Sequence, residues 1–419
     1  MTALNVSNEG DALKLVVYEY ISGGGYAGQR VPPKILAEGY AMLRSITADF
    51  KAAGHEVTVL LDDRLSKLNP PLNADFIVPI FSPDEPERFM NKLVTLNEAV
   101  YIIAPETGQI LQRLVQITEG LGKISLNCTP EGIAGVADKE VLYKFLQKKG
   151  ISTPKTIILN SDDSLLKIKR IIEEELPYPI ILKPLDGASC SGMSIVRSEN
   201  NIEPAIRKVK AQTSSNRFIA QSFINGLPAS ISLISNGQKA VAISLNKQQI
   251  VLAQPEEESS YIGGCVPLEH TLRAKAFSLA EKLVESIPGL RGYIGVDIIL
   301  SASDMYVVDV NPRLTTSYVG LHAIANYNIA QAIIDSITKF SLPKTVKSSS
   351  VAFFTKCQTT KPKAEVFQKI SKIENLFVPP FPLGNENEAY ALIMSKGGGI
   401  QEACLSLEEA KKSLRSIMT

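Results

Sequence analysis

Apolar positions fall into two rhythms along the chain. Leu13 to Tyr20 is a continuous β-rich run, followed by a glycine-rich loop at Ser22 to Gly28 and by Pro32 and Pro33. From Ile35 to Ala53, Leu36, Tyr40, Leu43, Ile46 and Phe50 recur at helical spacing, and Gly54 supplies the stop. Val57 to Leu61, Phe76 to Ile80 and Val100 to Ala104 are short apolar runs separated by helical stretches. Strands alternating with helices predict a parallel sheet covered by helices, in a block that ends near residue 130.

Beyond that point the texture changes. A helix is predicted over Asp138 to Lys149, with Asp138 as its N-cap and Gly150 as its stop. Tyr178 to Pro184, Met193 to Val196, Arg217 to Phe223, Ala229 to Ser235, Ala240 to Leu245, Ile294 to Leu300 and Met305 to Val310 then read as strands joined by short turns. Helices at about 164–175 and 271–286 interrupt them, a pattern that predicts an α+β unit with antiparallel sheet. Leu321 to Phe340 reads as one helix. Val351 to Thr355 and Ala389 to Met394 read as strands, Asn385 to Glu388 as a polar loop and Leu407 onward as a last helix. The expected organisation is an α/β domain over 1–130, a small α+β lobe over 131–215 and a larger one over 216–345. Strands and a helix at 346–419 are expected to pack on the large lobe.

Composition narrows the class of partner. The 419 residues carry 44 Lys plus Arg against 43 Asp plus Glu, a formal net charge of +1, so no nucleic-acid partner is expected. No apolar run approaches the ~18 residues of a membrane helix, so no membrane is expected either. Met1 to Lys14 lacks the positive start and apolar core of a signal peptide. The five cysteines are scattered without a CxxC pair, which suits a reducing compartment. These features predict a soluble cytoplasmic protein that binds something small.

Gly23-Gly24-Gly25-Tyr26-Ala27-Gly28 formally matches a dinucleotide fingerprint, but Pro32 and Pro33 intervene before the helix whose first amides would have to meet a pyrophosphate. A plain flexible loop is the simpler reading, and a substrate-binding loop at Ser22, Gly23, Gly24, Gly25 and Tyr26 is the functional alternative. Gly120-Leu121-Gly122-Lys123 lacks the spacing and the Ser/Thr of a phosphate-binding P-loop.

The chemistry concentrates at residues 293–313. Two apolar runs flank Ser301 to Asp304, which predicts a β-hairpin. Asp309 and Asn311 are two residues apart, hence on one face, and a turn near 303 sets Asp297 opposite Asp309. Two carboxylates side by side in an apolar setting repel. All-oxygen donors with no nearby His or Cys suit a hard ion, Mg²⁺ or Mn²⁺. Solvated carboxylates at strand ends are the plain alternative, but they leave an acid inside Met305 to Val310 unexplained. Arg313 follows the same alternation and can aim a positive fork at a phosphate or carboxylate. Earlier, Lys183 ends an apolar strand and a loop of small residues, Leu185 to Gly192, follows it. Such a loop lets backbone amides close over phosphate oxygens; a simple hairpin with an exposed Lys is the plain alternative. The acidic stretch Glu256-Glu257-Glu258 within Gln254 to Gly264 could attract an amine, or lie solvated as charge runs usually do.

In chain order these features are Asp138-Lys139, Lys183 with its glycine loop, Gln221-Ser222-Phe223-Ile224-Asn225-Gly226, then Asp297 with Asp309-Val310-Asn311-Pro312-Arg313. That order resembles the ATP-grasp superfamily of carboxylate–amine ligases over about 130–325. The resemblance implies a mixed α/β and α+β protein: an ATP-grasp fold with an N-terminal parallel-sheet (pre-ATP-grasp) domain and two α+β lobes clamping ATP. It implies that Lys139 and Lys183 contact ATP phosphates under a loop carrying Gly187, Ser189, Ser191 and Gly192. By the same resemblance Gln221, Ser222 and Phe223 form the adenine hinge. Asp297, Asp309 and Asn311 correspond to Mg²⁺ or Mn²⁺ ligands, and Arg313, with Lys183, to the catalytic cations. Gln221 and Asp309 stand where many members carry Glu. Within the superfamily, Glu19 to Tyr26, Ile103-Ala104-Pro105-Glu106-Thr107 and Asp309 to Tyr318 look like ligases that join the γ-carboxylate of glutamate to tyramine for methanofuran-type cofactors. The implied partners are a small-molecule carboxylate and an amine, with a homodimer left open. Other acid–amine pairs, a bicarbonate acceptor and a non-catalytic nucleotide-binding regulator are the alternatives.

Overall fold

The computed structural model describes residues 12–185, 190–213, 215–383 and 387–418. Met1 to Asp11, Gly187, Ser189, Asn385 and Glu386, all named above, lie outside the described residues. Among those described, the strands form three sheets.

The first sheet is wholly parallel. Its order is Phe76–Ile80, Glu56–Asp62, Lys14–Glu19, Ala99–Ile103 and Ile124–Ser125. Helix Pro33–Ala52 covers one face, burying Leu36, Tyr40, Leu43, Ile46 and Phe50 as the spacing required. Pro33 opens this helix rather than preceding it, because the first helical position has no N–H to lose. The core under the helix runs from Leu15, Val17, Val57 and Val59 to Tyr318, Val319 and Phe354. The parallel domain and the distant C-terminal strands therefore share one apolar interior.

The second sheet is antiparallel and small: Thr156–Asn160, Arg217–Ser222, Ile180–Pro184 and Ser194–Val196. Arg217–Ser222 lies in its middle, so the small lobe runs past residue 215, where the sequence suggested a boundary.

The third sheet is antiparallel and eight-stranded. It runs from Met305–Asn311 through Arg291–Leu300, Leu227–Asn236, Ala240–Val251 and Ser260–Val266 to Val351–Thr359, Ala389–Gly397 and Leu376–Val378. The segment after 346 thus extends the large lobe's own sheet, with helix Ile400–Met418 packed on it through Ala403, Leu407, Ala410 and Leu414. Ser260–Val266 falls largely within the stretch read as an acidic loop. Gly263 and Gly264 weaken its strand signal, yet they are what the packing demands. A Cβ on Gly263 would stand 2.0 Å from the Phe354 carbonyl oxygen, and one on Gly264 2.5 Å from that of Lys247. The single helix expected over Leu321 to Phe340 is two, Tyr318–Ile324 and Ile329–Thr338. Ala325 is extended, and the Asn328 side chain accepts the Gln331 N–H as a new N-cap, so a local cap interrupts the apolar period. No described helix is long and apolar enough to cross a membrane.

Candidate active site

A cavity of about 530 Å³ opens where the three sheets meet. Glu19 and Ile103 reach it from the carboxyl ends of parallel strands, where open parallel sheets place their ligand crevice. Lys183 and Gln221 reach it from the small sheet; Gln248, Asp297, Asp309 and Asn311 reach it from the large one.

The hairpin forms, with a register shift between Asp297 and Ile298. Asp297 pairs with Asp309 in register, and Gly295 with Asn311. The Asn311 side-chain amide donates to Asp297 Oδ2 at 3.0 Å and that of Gln248 to Oδ1 at 2.8 Å. Even so, burial and the neighbouring Asp309 charge raise the Asp297 carboxyl to about 6. Lys139 Nζ stands 3.0 Å from Asp309 Oδ2. Its position follows from the Asp138 cap, whose Oδ1 accepts the Glu140 and Val141 N–H groups and so starts the helix at Lys139. Burial pushes the Lys139 ammonium down, but Asp309, Glu106 and Asp297 outweigh it, and its pKa stands above the ordinary value. Among the described residues Lys183 has no such close ion-pair partner. Burial lowers it to about 8, Asp309 partly offsets this, and Lys139 adds repulsion.

Arg313 Nε donates to Glu106 Oε1 at 2.9 Å and Nη2 to Oε2 at 3.3 Å, a two-pronged ion pair. Burial opposes the guanidinium charge, and Glu106 more than restores it. Glu106 sits just beyond the parallel strand Ala99–Ile103; its partner is 207 residues away.

The structure gathers Lys139, Lys183, Ser191, Gln221, Ser222, Phe223, Asp297, Asp309, Asn311 and Arg313 around this cavity. Ser191 donates to the Gln212 side chain at 2.6 Å, and Gln221 to the Thr156 hydroxyl at 2.7 Å. The N–H groups of Ser222 and Phe223 already donate to the carbonyls of Lys155 and Pro179. Gly192 is not on the cavity wall: its φ is +70°, and a Cβ there would meet Pro184 at 2.9 Å.

Ser22, Gly23, Gly24, Gly25 and Tyr26 do not line the cavity either, which corrects the substrate-loop reading. Ile21 to Gly25 is a buried helical turn. Its start is pinned by Glu19, whose carboxylate accepts the Ile21 N–H, the Ser22 N–H and the Ser22 hydroxyl. The glycines answer to packing: a Cβ on Gly25 would lie 2.6 Å from the Tyr20 ring, and one on Gly24 2.4 Å from Ile80. Gly25→Ala should therefore destabilise the fold by about 1–3 kcal/mol, as overpacking does, read as a lower urea midpoint. Unchanged stability with weakened substrate use would restore the loop to the site.

Residue-type reasoning missed Glu38 and Gln248, which line the cavity, and gave Glu19 and Glu106 no role. One signal for Glu38 was available: it is a lone charge inside the apolar stretch Leu36 to Leu43.

Asp297, Asp309 and Asn311 suit Mg²⁺ as a partial ligand set. Among the described residues no cluster of three or more His, Cys, Asp and Glu side chains could enclose a metal. Mg²⁺ is ordinarily bound by one or two carboxylates, with substrate phosphates and water completing the shell. Burial first and the Asp309 charge second raise the Asp297 carboxyl, a penalty that a bound cation would relieve.

Residues 136–317 match the model of the ATP-grasp domain, and residues 55–133 that of the pre ATP-grasp 3 domain. This chain belongs to the ATP-grasp superfamily. Its fold is the ATP-grasp fold with an N-terminal pre-ATP-grasp domain, and proteins of this class bind ATP. The chain is 28% identical to tyramine–L-glutamate ligase of Methanocaldococcus jannaschii over 335 residues, 80% of this chain and 92% of that one. It is 28% identical to the same-named protein of Methanocaldococcus fervens over 309 residues, 73% of this chain and 89% of that one. Among solved structures, an ATP-grasp superfamily protein from Archaeoglobus fulgidus superposes with a TM-score of 0.60 at 25% identity, covering 91% of this chain and 99% of that one. Biotin carboxylase from Campylobacter jejuni gives 0.71 at 14% identity, over 96% and 91%, a likeness of fold. Both Methanocaldococcus relatives are ligases by name.

The Asp297 carboxyl sets a pH dependence for this ATP-grasp site. It holds its proton more tightly folded, at about 6, than at the ordinary 3.8. Metal-free stability should therefore fall as pH rises through that window, because the unfolded chain releases the proton first. Mg²⁺ capture needs the ionised form and should strengthen over the same window. The Tm rise caused by Mg²⁺ with ATP should be larger at about pH 7.5 than at about pH 5. Equal rises would remove Asp297 from the cation site.

Proposed function

We propose that this enzyme forms an amide through an acyl-phosphate intermediate, joining the γ-carboxylate of glutamate to tyramine or a related amine and releasing ADP and phosphate. The reading is supported chiefly by one observation. A doubly acidic hairpin with two lysines and a partly buried Arg313–Glu106 fork face the same cavity. The names of the Methanocaldococcus relatives supply the substrates.

The chemistry needs no nucleophilic side chain. The acid's carboxylate attacks the γ-phosphorus of ATP, the bond from that phosphorus to the bridging oxygen breaks, and ADP leaves. The amine then attacks the acyl carbon, loses a proton and expels phosphate. Lys139 and Lys183 hold the phosphate oxygens, as cations fixed at the ends of a helix and a strand. Asp297, Asp309 and Asn311 would hold Mg²⁺, which supplies charge neutralisation on those oxygens. Arg313, already aligned by Glu106, faces the charge that gathers on the acyl phosphate and the tetrahedral intermediate. Positioning and electrostatics carry the rate.

ADP release should require glutamate and tyramine together, with hydroxylamine able to replace the amine and yield a hydroxamate. Release without hydroxamate would discard the acyl phosphate. Release with other acid–amine pairs but not this one would change the substrates and keep the reaction class.

A further inference from the structure

Glu38 and Lys356 form an ion pair in which each side chain is only 6% exposed. They come from opposite ends of the chain, one from helix Pro33–Ala52 and the other from strand Val351–Thr359. Glu38 lines the active-site cavity. Its other carboxylate oxygen accepts the Thr316 hydroxyl at 3.1 Å, and Thr316, three residues beyond Arg313, lines the same cavity. Lys356 Nζ lies 5.7 Å from the centre of the Tyr261 ring, another cavity wall. The reaction above uses none of these groups.

A buried pair of opposite charges rarely returns in attraction what it loses in hydration, so this one, with Glu38 on the active-site cavity and Lys356 behind it on a second cavity, calls for a second role. An α-amino acid head group is itself an ammonium beside a carboxylate. We propose, resting on the ligase reading above, that Glu38 and Lys356 open around such a head group. Glu38 and Thr316 take the α-ammonium and Lys356 takes the α-carboxylate. The exchange replaces one ion pair by two and leaves no charge uncovered. The acid substrate is therefore a whole α-amino acid, held by its head so that its side-chain carboxylate is presented to the phosphate. The pair decides specificity, and the C-terminal strands supply half of it.

The consequence is discrimination between head groups. Glutarate lacks the ammonium and would leave Glu38 unanswered. 4-Aminobutanoate lacks the α-carboxylate and would leave Lys356 unanswered. With saturating amine, both should fall below glutamate in kcat/KM by about 100-fold or more, since a site with buried polar groups rejects a ligand that leaves them unpaired. In Glu38→Gln, KM for glutamate should rise by about 10- to 100-fold while glutarate changes little, so that this discrimination collapses. Lys356→Met should do the same for 4-aminobutanoate, and Lys356→Arg should retain discrimination. KM for ATP should stay put in all three. The same ligands are also measured as binding by calorimetry, with Mg²⁺ and a non-hydrolysable ATP analogue. The head-group assignment is overturned if wild type treats glutarate like glutamate, if both variants weaken all three acids by one factor, or if glutamate does not bind. Absent turnover with every acid–amine pair, alongside selective glutamate binding, would overturn the ligase reading and leave the head-group assignment supported.

Discussion

Arg313→Ala should lower kcat by about 10³-fold or more while leaving KM for ATP within about threefold, the magnitude expected when a fixed cation facing a developing phosphoryl charge is lost. The geometry explains why the effect should be this steep. Glu106 grips the guanidinium at 2.9 and 3.3 Å, so the fork meets its target already oriented and does not reorganise during reaction. Arg313→Lys should recover little, because an ammonium cannot match two oxygens at once. Removing Arg313 also strands the partly buried Glu106, at a cost of about 1–3 kcal/mol. The double variant Arg313→Ala/Glu106→Gln should recover most of that stability, read by urea unfolding, without recovering turnover. That split separates catalysis from folding. Full turnover in a folded Arg313→Ala protein would mean the guanidinium only ties the hairpin's end to the parallel domain.

Asp309→Asn is the second large effect. It removes one carboxylate of the hairpin pair and deprives Lys139 of the partner at 3.0 Å that holds its ammonium charged. Turnover should fall by about 10²- to 10³-fold, the scale at which losing one electrostatic partner at a reacting oxygen is felt. ATP binding should lose most of its Mg²⁺ dependence in the same variant. The change should also leave a titration signature. Asp309 is the second cause, after burial, of the raised Asp297 carboxyl, so the pH midpoint of Mg²⁺ binding should move below about 6. Asp309→Glu restores the charge and should retain measurable turnover, with altered metal preference because the ligand is one methylene longer. A folded Asp309→Asn enzyme with wild-type rate and an unmoved midpoint would take the residue out of the cation site.

Reading from residues alone succeeded wherever the cause was local. Two apolar runs about a four-residue turn were enough to expect the hairpin, but plain alternation from Leu300 opposite Met305 would set Asp297 against Val308; a register shift between Asp297 and Ile298 brings it to Asp309. The Asp138 cap, visible as one side chain before a helical run, was enough to start the helix at Lys139. The order of these pieces led to the superfamily. Local rules misled where two of them competed. The glycine loop near residue 25 left a plain flexible loop and a substrate loop as its readings, whereas the glycines seat a buried turn against Tyr20 and Ile80. Gly263 and Gly264 hid a central strand for the same reason.

What the linear chain determined is the inventory of chemistry and the short-range geometry of each piece: which acids share a strand face, which lysine ends a strand, which helix begins where. Only the folded molecule decided which pieces meet. Arg313 finds Glu106 across 207 residues and Lys356 finds Glu38 across 318. Alternation along a strand says which face a side chain takes, but not which helix or sheet lies opposite that face. The partner is chosen when sheets from distant segments close over a common core, and a buried charge is stable only where such a partner has been brought to it.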